Sequence, residues 1–452
     1  MLKDRKIKTI CLFLILIVAL ALAGCTRNVN KPLTTIAWDI PDGEMDPKVW
    51  GKYFPHQYSS YQKNMEVIAE DKTNYGSSER KSHIAAYPWK QNIWAGYGFS
   101  KDYNEERGHV WSVIDLTSTQ RVNAKTPGSC LTCKTPNVPV LYEQLGDDYY
   151  ATPLAEHLKD PNSMIPISCA NCHDNETMEL KIVQPPLRDA LKKLGQDPDK
   201  LTHQEKRTLV CAQCHVEYYF DKENKSRVTF PWTEGFEPAN IEEYYADLEF
   251  VDWEHAKTGQ GMLKTQHPEY ETFVDSAHYQ AGVSCADCHM PYTKAGNEKY
   301  SSHWWTSPLK TAEQSCGTCH KDGSDARRDR VQYIQDKVAD QLHKAGKISE
   351  ELILSIEAAQ KIEGIEQLKV DEAKVLSRRA VWYWDFVAAE NSMGFHNPEK
   401  ALHSLADSID YARQGLALVK EAAAWAGGSF TIQPAKTEDA NPTREITEKP
   451  NI

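Results

Sequence analysis

Apolar residues return at helical spacing only in the last third of the chain. Val331, Ile334, Val338 and Leu342 make one stripe, and Leu352, Ile356, Ala359 and Ile362 begin a second. Leu368, Val375, Trp382, Phe386 and Ala389 make a third. Steps of three and four place such residues on one face of a helix. Asn397-Pro398 supplies a cap and a first-turn proline for a fourth stripe, with Leu405, Ile409, Ala412, Leu416 and Val419 inward. Gly427-Gly428 stops it. Residues 326–428 therefore read as a region of long helices whose apolar faces need a cover. The stripe over 405–419 is expected to meet either its own core or a second copy of the chain, as in a homodimer.

Upstream the pattern is different. Residues 38–113 are aromatic and irregular, which predicts loops and short helices. Residues 192–216 read as a helix, and 230–236 as a loop punctuated by proline and glycine. Sustained alternation is missing, so the expected fold class is mainly α with little β. Residues 429–452 are polar with three prolines and read as a disordered tail.

The N-terminus reads as an export signal. Lys3, Arg5, Lys6 and Lys8 precede an apolar run over residues 10–23, long enough for a signal peptide and short for a membrane span. It ends in Leu22-Ala23-Gly24-Cys25, which resembles a bacterial lipobox. Residues 1–24 are thus expected to be removed. Cys25 is then lipidated, and 25–37 form a tether holding the protein at the outer, extracytoplasmic face of a membrane. The net charge of −12 excludes nucleic acid as a partner.

The cysteines change the picture most. Cys169/Cys172-His173, Cys211/Cys214-His215, Cys285/Cys288-His289 and Cys316/Cys319-His320 are each Cys-x-x-Cys-His, the signature of covalent haem c attachment. Cys130/Cys133-Lys134 keeps the spacing but puts lysine in the ligand position. Of twelve cysteines, Cys11 lies in the signal run and Cys25 at its end, leaving ten for five haems. No pair remains for a structural disulfide, and the Cys-x-x-Cys-His pattern together with the export signal argues against five structural zinc sites. Five haems bury broad apolar discs, so the core over 38–325 is expected to be packed around porphyrin rather than built from side chains alone.

Haems that only carry electrons are usually held on both sides, so four Cys-x-x-Cys-His haems need four further ligands. Twelve of the sixteen histidines lie outside the motifs. His56, His83, His157, His203, His255, His343 and His403 sit in polar company with no second signal. His109, His267, His278, His303 and His396 are better placed: four ligands and one extra.

With one Cys-x-x-Cys-Lys followed by four Cys-x-x-Cys-His, with Cys211-Ala212-Gln213-Cys214-His215-Val216-Glu217-Tyr218, and with Lys264-Thr265-Gln266-His267-Pro268-Glu269, the chain resembles the pentahaem cytochrome c nitrite reductases that form ammonia. The resemblance spans the mature chain. It implies that His303 completes the haem of His173, His109 that of His215, His396 that of His289, and His278 that of His320. It implies a catalytic pocket of Arg121, Tyr218 and His267 over the Lys134 haem, with Arg107 as a competitor for the arginine. It also implies a calcium ion held by the Glu217 and Gln266 side chains and the carbonyls of Tyr218 and Lys264; oxygen-only ligation suits a hard cation. Without the resemblance, Glu217 reads as the partner of a nearby lysine. The implied substrate is nitrite, and the implied electron donor a membrane quinol-oxidising cytochrome c subunit. A multihaem electron carrier without catalysis, or a reductase of hydroxylamine or a sulfur oxyanion, would share much of this pattern.

Overall fold

Three long helices close the chain in the computed structural model: α1 (Ser324–Ala359), α2 (Gln367–Ala388) and α3 (Pro398–Trp425). The structure describes residues 38–67, 75, 78–436, 446 and 448–452. The signal peptide, Cys25 and the tether to residue 37 lie outside the described residues. The helices, the motifs and the pocket all belong to one unit, Ile40–Ile452.

Four stripes become three helices, because the first two lie on one helix of 36 residues. Gly346 in its middle does not break it. A Cβ there would stand 2.5 Å from Trp89 Nε1 and 3.0 Å from Trp384 Nε1, so glycine is the residue that lets the indoles in. α3 starts as its sequence predicts: Asn397 accepts the Lys400 amide at 3.2 Å and Pro398 follows. Such a cap is worth about 1 kcal/mol. Gly427 leaves the helix at φ 64°.

The three helices cover one another. Leu352, Ile356 and Ala359 of α1, Val370, Ala373 and Ala380 of α2, and Ala412, Leu416 and Val419 of α3 form one buried cluster. Leu405 is fully buried and Ile409 is packed against a second cluster. The 405–419 stripe is therefore satisfied within one chain and does not by itself require a second copy. The third stripe is split: Trp382 and Phe386 are buried, whereas Leu368 is 81% exposed and Val375 52%. Trp425, at the end of α3, is 81% exposed as well.

Strand is confined to three two-stranded antiparallel ribbons among the described residues: β1 (Tyr219–Asp221) with β2 (Arg227–Thr229), β3 (Trp253–Glu254) with β4 (Gly261–Met262), and β5 (Tyr292–Ala295) with β6 (Glu298–Ser301). They matter for what leaves them. β1 follows Glu217 and Tyr218, and β4 runs into 264–267. Trp382 of α2 donates its indole N–H to the Pro238 carbonyl at 2.9 Å, which fixes the helices to this part of the core.

The segment 192–216 is not one helix. A helix over Pro185–Lys193 ends before Gly195, at φ 76°, and a second, His203–Leu209, starts from a Thr202/Glu205 capping box. Gly195, Pro198 and Thr202 are the stop and start signals that divide the segment. Residues 230–236 are irregular, as expected, yet Phe230 and Trp232 are buried. The described residues past 428 contain no helix or strand, but the tail is seated at its end: Ile446 and Ile452 pack with Tyr61, Val110, Trp111 and Ile114.

Candidate functional site

Each attachment motif is a single tight turn. In two of them a serine just before the first cysteine builds a capping box: Ser168 with Asn171, and Ser284 with Asp287. The turn places both cysteines, three residues apart, on one side. No disulfide joins any of the ten motif cysteines.

Nine of the ten thiols are partly buried, as a haem-packed core requires, but Cys319 is exposed, and so is His320 beside it. The reason is where the last motif lies. It runs straight into Lys321-Asp322-Gly323, an exposed polar link to α1, so the chain itself puts little over this turn. Cys316, packed behind it, is partly buried. The motif spacing keeps Cys319 as the expected second attachment residue of its turn.

Opposite each motif histidine stands a second imidazole. Ring centres are 6.2 Å apart for His173 and His303, 5.7 Å for His215 and His109, 6.2 Å for His289 and His396, and 6.3 Å for His320 and His278. An imidazole nitrogen lies about 2 Å from a bound metal, and the ring centre about 1 Å further, so a metal between two imidazoles spaces the centres by about 6 Å. The four pairs fit an iron between them. They are also the four pairs that the family resemblance implies.

The outer ring nitrogens support this. His173 Nδ1 donates to the Met178 carbonyl at 2.9 Å, His303 Nδ1 to Ser301 at 3.0 Å, and His289 Nδ1 to Thr306 at 3.2 Å. A carbonyl only accepts, so Nδ1 carries the proton and the Nε2 lone pair is left for a metal. Burial holds His109 at about 3 and His289 and His303 at about 4, in the neutral form a metal ligand needs. Two rings are backed by carboxylates instead: His396 Nδ1 lies 2.6 Å from Glu390 and His215 Nδ1 3.7 Å from Glu269. Burial would lower His215, but Glu269 and Glu106 raise it to about 9.

The fifth motif is built differently. Cys130, Cys133 and Lys134 line one cavity with Ser129, Tyr218, Val228 and His267. Lysine, tyrosine and histidine from three distant segments thus meet where the Cys-x-x-Cys-Lys turn would hold its haem. Burial pushes the Tyr218 hydroxyl well up, so the tyrosine keeps its proton, and it pushes His267 down against the pull of Glu106. Arg121, expected in this pocket, is exposed and is not among the residues that line the cavity; it stacks on Phe99, its guanidinium carbon 4.0 Å from the ring centre, and donates from Nε to Thr119 at 3.1 Å. Its charge helps to lower the Cys130 thiol, which burial otherwise raises to about 11. Arg107 is committed elsewhere: it binds Asp115 through Nε at 2.9 Å and Nη2 at 2.5 Å, and lies over Trp111.

Glu217 is fully buried, and burial pushes its carboxyl well up. It accepts from Tyr245 Oη at 2.8 Å and from the Gln266 amide at 2.6 Å. Among the described residues no lysine or arginine pairs with it, so the plain ion-pair reading fails. Nearby, the Gln266 side chain donates to the Lys264 carbonyl at 3.1 Å. A buried carboxylate, an amide oxygen and a carbonyl in one place, short of positive charge, fit a hard cation. The Lys264 ammonium is not free to serve Glu217. It pairs with Asp385 at 2.9 Å and donates to the Thr265 carbonyl at 2.5 Å, among the rings of Trp94, Phe99 and Tyr103.

Two residues near this pocket carry no sequence signal. Glu106 lies 3.8 Å from His267 Nε2. Burial would raise its carboxyl, but His267, Lys134, His215 and Arg121 together hold it at about 2. Asp385 is the other. Four of the seven histidines with no second signal have ordinary partners: His56 pairs with Glu298, His83 with Glu105, and the rings of His157 and His255 meet the Tyr149 and Asn92 carbonyls.

Comparison with known proteins agrees with this geometry. Residues 46–450 match the family model of cytochrome c552. The chain is 38% identical to the cytochrome c nitrite reductase subunit NrfA of Nitratidesulfovibrio vulgaris, over 93% of this chain and 87% of that protein. It is 37% identical to cytochrome c-552 of Bacteroides fragilis over 83% of this chain and 77% of that one. The solved catalytic subunit of cytochrome c nitrite reductase from Desulfovibrio desulfuricans, a structure with two calcium sites, superimposes with a TM-score of 0.80 at 39% identity. That match covers 88% of this chain and 90% of the other.

Proposed function

The chain belongs to the cytochrome c552 family, and on that footing we propose that it is a multihaem cytochrome c nitrite reductase, an oxidoreductase that turns nitrite into ammonium. The observation that carries this reading is the shared cavity of Cys130, Cys133, Lys134, Tyr218 and His267. When bound, five haem c groups would supply four bis-histidine irons that relay electrons and one iron, on Lys134, with a side open to nitrite.

The chain's own residues supply the rest. Cys130 and Cys133 would hold the porphyrin edge, and Lys134 would offer its amine to the iron. Arg121 attracts the anion and orients its oxygens through paired N–H donors. The reaction consumes six electrons and eight protons, so proton carriers must stand at the pocket. Tyr218 and His267 hold and pass protons there. The His173–His303, His215–His109, His289–His396 and His320–His278 pairs hold the relay. Glu217, Gln266 and the Tyr218 and Lys264 carbonyls hold one calcium ion, which stiffens the pocket and adds positive field beside the anion.

The protein is exported and anchored through a lipid on Cys25. It draws electrons from a membrane quinol-oxidising cytochrome c subunit. It forms a homodimer through the long helices, where Leu368, Val375 and Trp425 stand in solvent. Sedimentation at micromolar concentration showing only monomer would sink the dimer.

The test of the activity is haem stoichiometry together with nitrite turnover on purified protein. Five haems, a high-spin component in the oxidised spectrum and ammonium as product are expected. A wholly low-spin spectrum without turnover would make the protein an electron carrier.

A further inference from the structure

Three consecutive amides of the pocket loop each meet a different carboxylate. Lys264 N–H donates to Asp252 at 2.8 Å, Thr265 N–H to Asp385 at 3.1 Å, and Gln266 N–H to Glu217 at 2.6 Å. Asp252 and Glu217 belong to segments beside the loop. Asp385 comes from the last turn of α2, and nothing in the calcium or haem assignment uses it.

Its geometry is specific. The Asp385 side chain is 1% exposed and that of Lys264 2%. One Asp385 carboxylate takes both the Thr265 amide and the Lys264 ammonium, at 2.9 Å for the latter. The same ammonium turns back to the Thr265 carbonyl. A peptide unit is planar, and in the trans form its C=O and N–H point opposite ways. The Thr265 N–H and the Lys264 C=O share one such unit, and no peptide bond among the described residues is cis. Fixing that N–H on Asp385 therefore aims the Lys264 carbonyl away from α2, to the side where the Gln266 amide meets it. The next unit is held at both ends as well, its carbonyl by the Lys264 ammonium and its N–H by Glu217. His267 follows directly.

We propose that Asp385 is a positioning residue for the pocket: through the Thr265 amide and the Lys264 ammonium it aims the Lys264 carbonyl at the cation site and sets the approach of His267 to the haem cavity. The long helix thus acts on the pocket through one carboxylate. This inference rests on the calcium reading above for one of its two readouts.

The experiment uses holoprotein and calcium itself, titrated against a chelator. Asp385→Asn keeps an acceptor oxygen and removes the charge. It should keep all five haems and weaken calcium about ten-fold or more, as loss of an outer partner of a metal ligand does. It should also shift the high-spin signal of the Lys134 haem and lower kcat for nitrite more than it raises KM. Asp410→Asn, on the exposed side of α3, should change none of these. If Asp385→Asn yields no holoprotein, Asp385→Glu replaces it: the charge stays for Lys264 while the acceptor moves by one methylene, and weakened calcium is again expected. Wild-type calcium affinity with an unmoved spectrum, in whichever variant folds, overturns the proposal. Wild-type protein that takes no calcium defeats the calcium reading instead. Asp385 is then judged on the spectrum and the kcat–KM split, and no change in either overturns its role.

Discussion

His173 and His303 face each other with ring centres 6.2 Å apart and 34° between their planes, and each gives its outer N–H to a backbone carbonyl. Both rings are thereby turned with Nε2 inward before any metal arrives. Replacing His303 by alanine should open one side of that haem alone. The oxidised protein should gain one high-spin haem and keep its haem content, as read by paramagnetic resonance and haem assay. An unchanged count of low-spin haems would show that His303 is not the ligand.

Lys134→His should keep five haems and the fold but lose most nitrite turnover. Imidazole is planar, reaches differently and needs a partner for its second nitrogen, so it alters electron donation to the iron. The cysteines that hold the haem are untouched. Wild-type turnover in this variant would make the lysine incidental.

Lys90 gives a pH dependence. Its ammonium sits 5.1 to 5.8 Å from the ring centres of Tyr87, Trp94, Tyr103 and Trp384, and the residue is 5% exposed. Burial pushes it from 10.5 to about 7, with Asp385 pulling the other way. Between these values the unfolded chain holds a proton that the folded chain lacks, so stability from this group rises with pH over that window. Below about 7 both forms are charged and the fold bears the full cost. Lys90→Met removes the effect. From pH 6 to pH 9, wild type should therefore gain about 2–3 kcal/mol relative to the variant. Parallel unfolding curves for the two proteins at both pH values would contradict this.

Cys25→Ser should move the protein from the detergent fraction to the soluble one. Equal membrane retention in the variant would mean that the anchor is not a lipid on Cys25.

Legibility in the sequence followed the range of the interaction. Covalent attachment demands a fixed local spacing, so the motifs stood out, and Lys134 stood out as the departure from them. Spacing says nothing about depth, however, and Cys319 carries the same motif as its partly buried counterparts while being itself exposed. The distal histidines emerged from counting and from resemblance, and their rings do meet the motif histidines. Helical periodicity showed which faces are buried but not where one helix ends. It divided α1 into two stripes, and only the packing of Gly346 against two indoles explains why the helix continues. It also left the cover of 405–419 open, which the neighbouring helices supply. Asp385 and Glu106 were invisible for the same reason: a single acid in a helix or loop has no local pattern, and its meaning comes from what the fold brings beside it.

The order of the ligand pairs along the chain has a consequence for how the protein is made. On the proposed export, the chain would cross the membrane from its N-terminus, and its cysteines would become available for haem in sequence order. On the proposed assignment, His109 precedes the motif it serves and His278 precedes His320, so the haems of His215 and His320 find their second ligand already outside the membrane. Those of His173 and His289 must wait for His303 and His396. During that interval two irons would lack their second histidine, which would arrive only once His303 and the turn before α3 have crossed. A translocation stall before residue 396 would leave a partly loaded intermediate with its fourth haem exposed, whereas a stall after it would not.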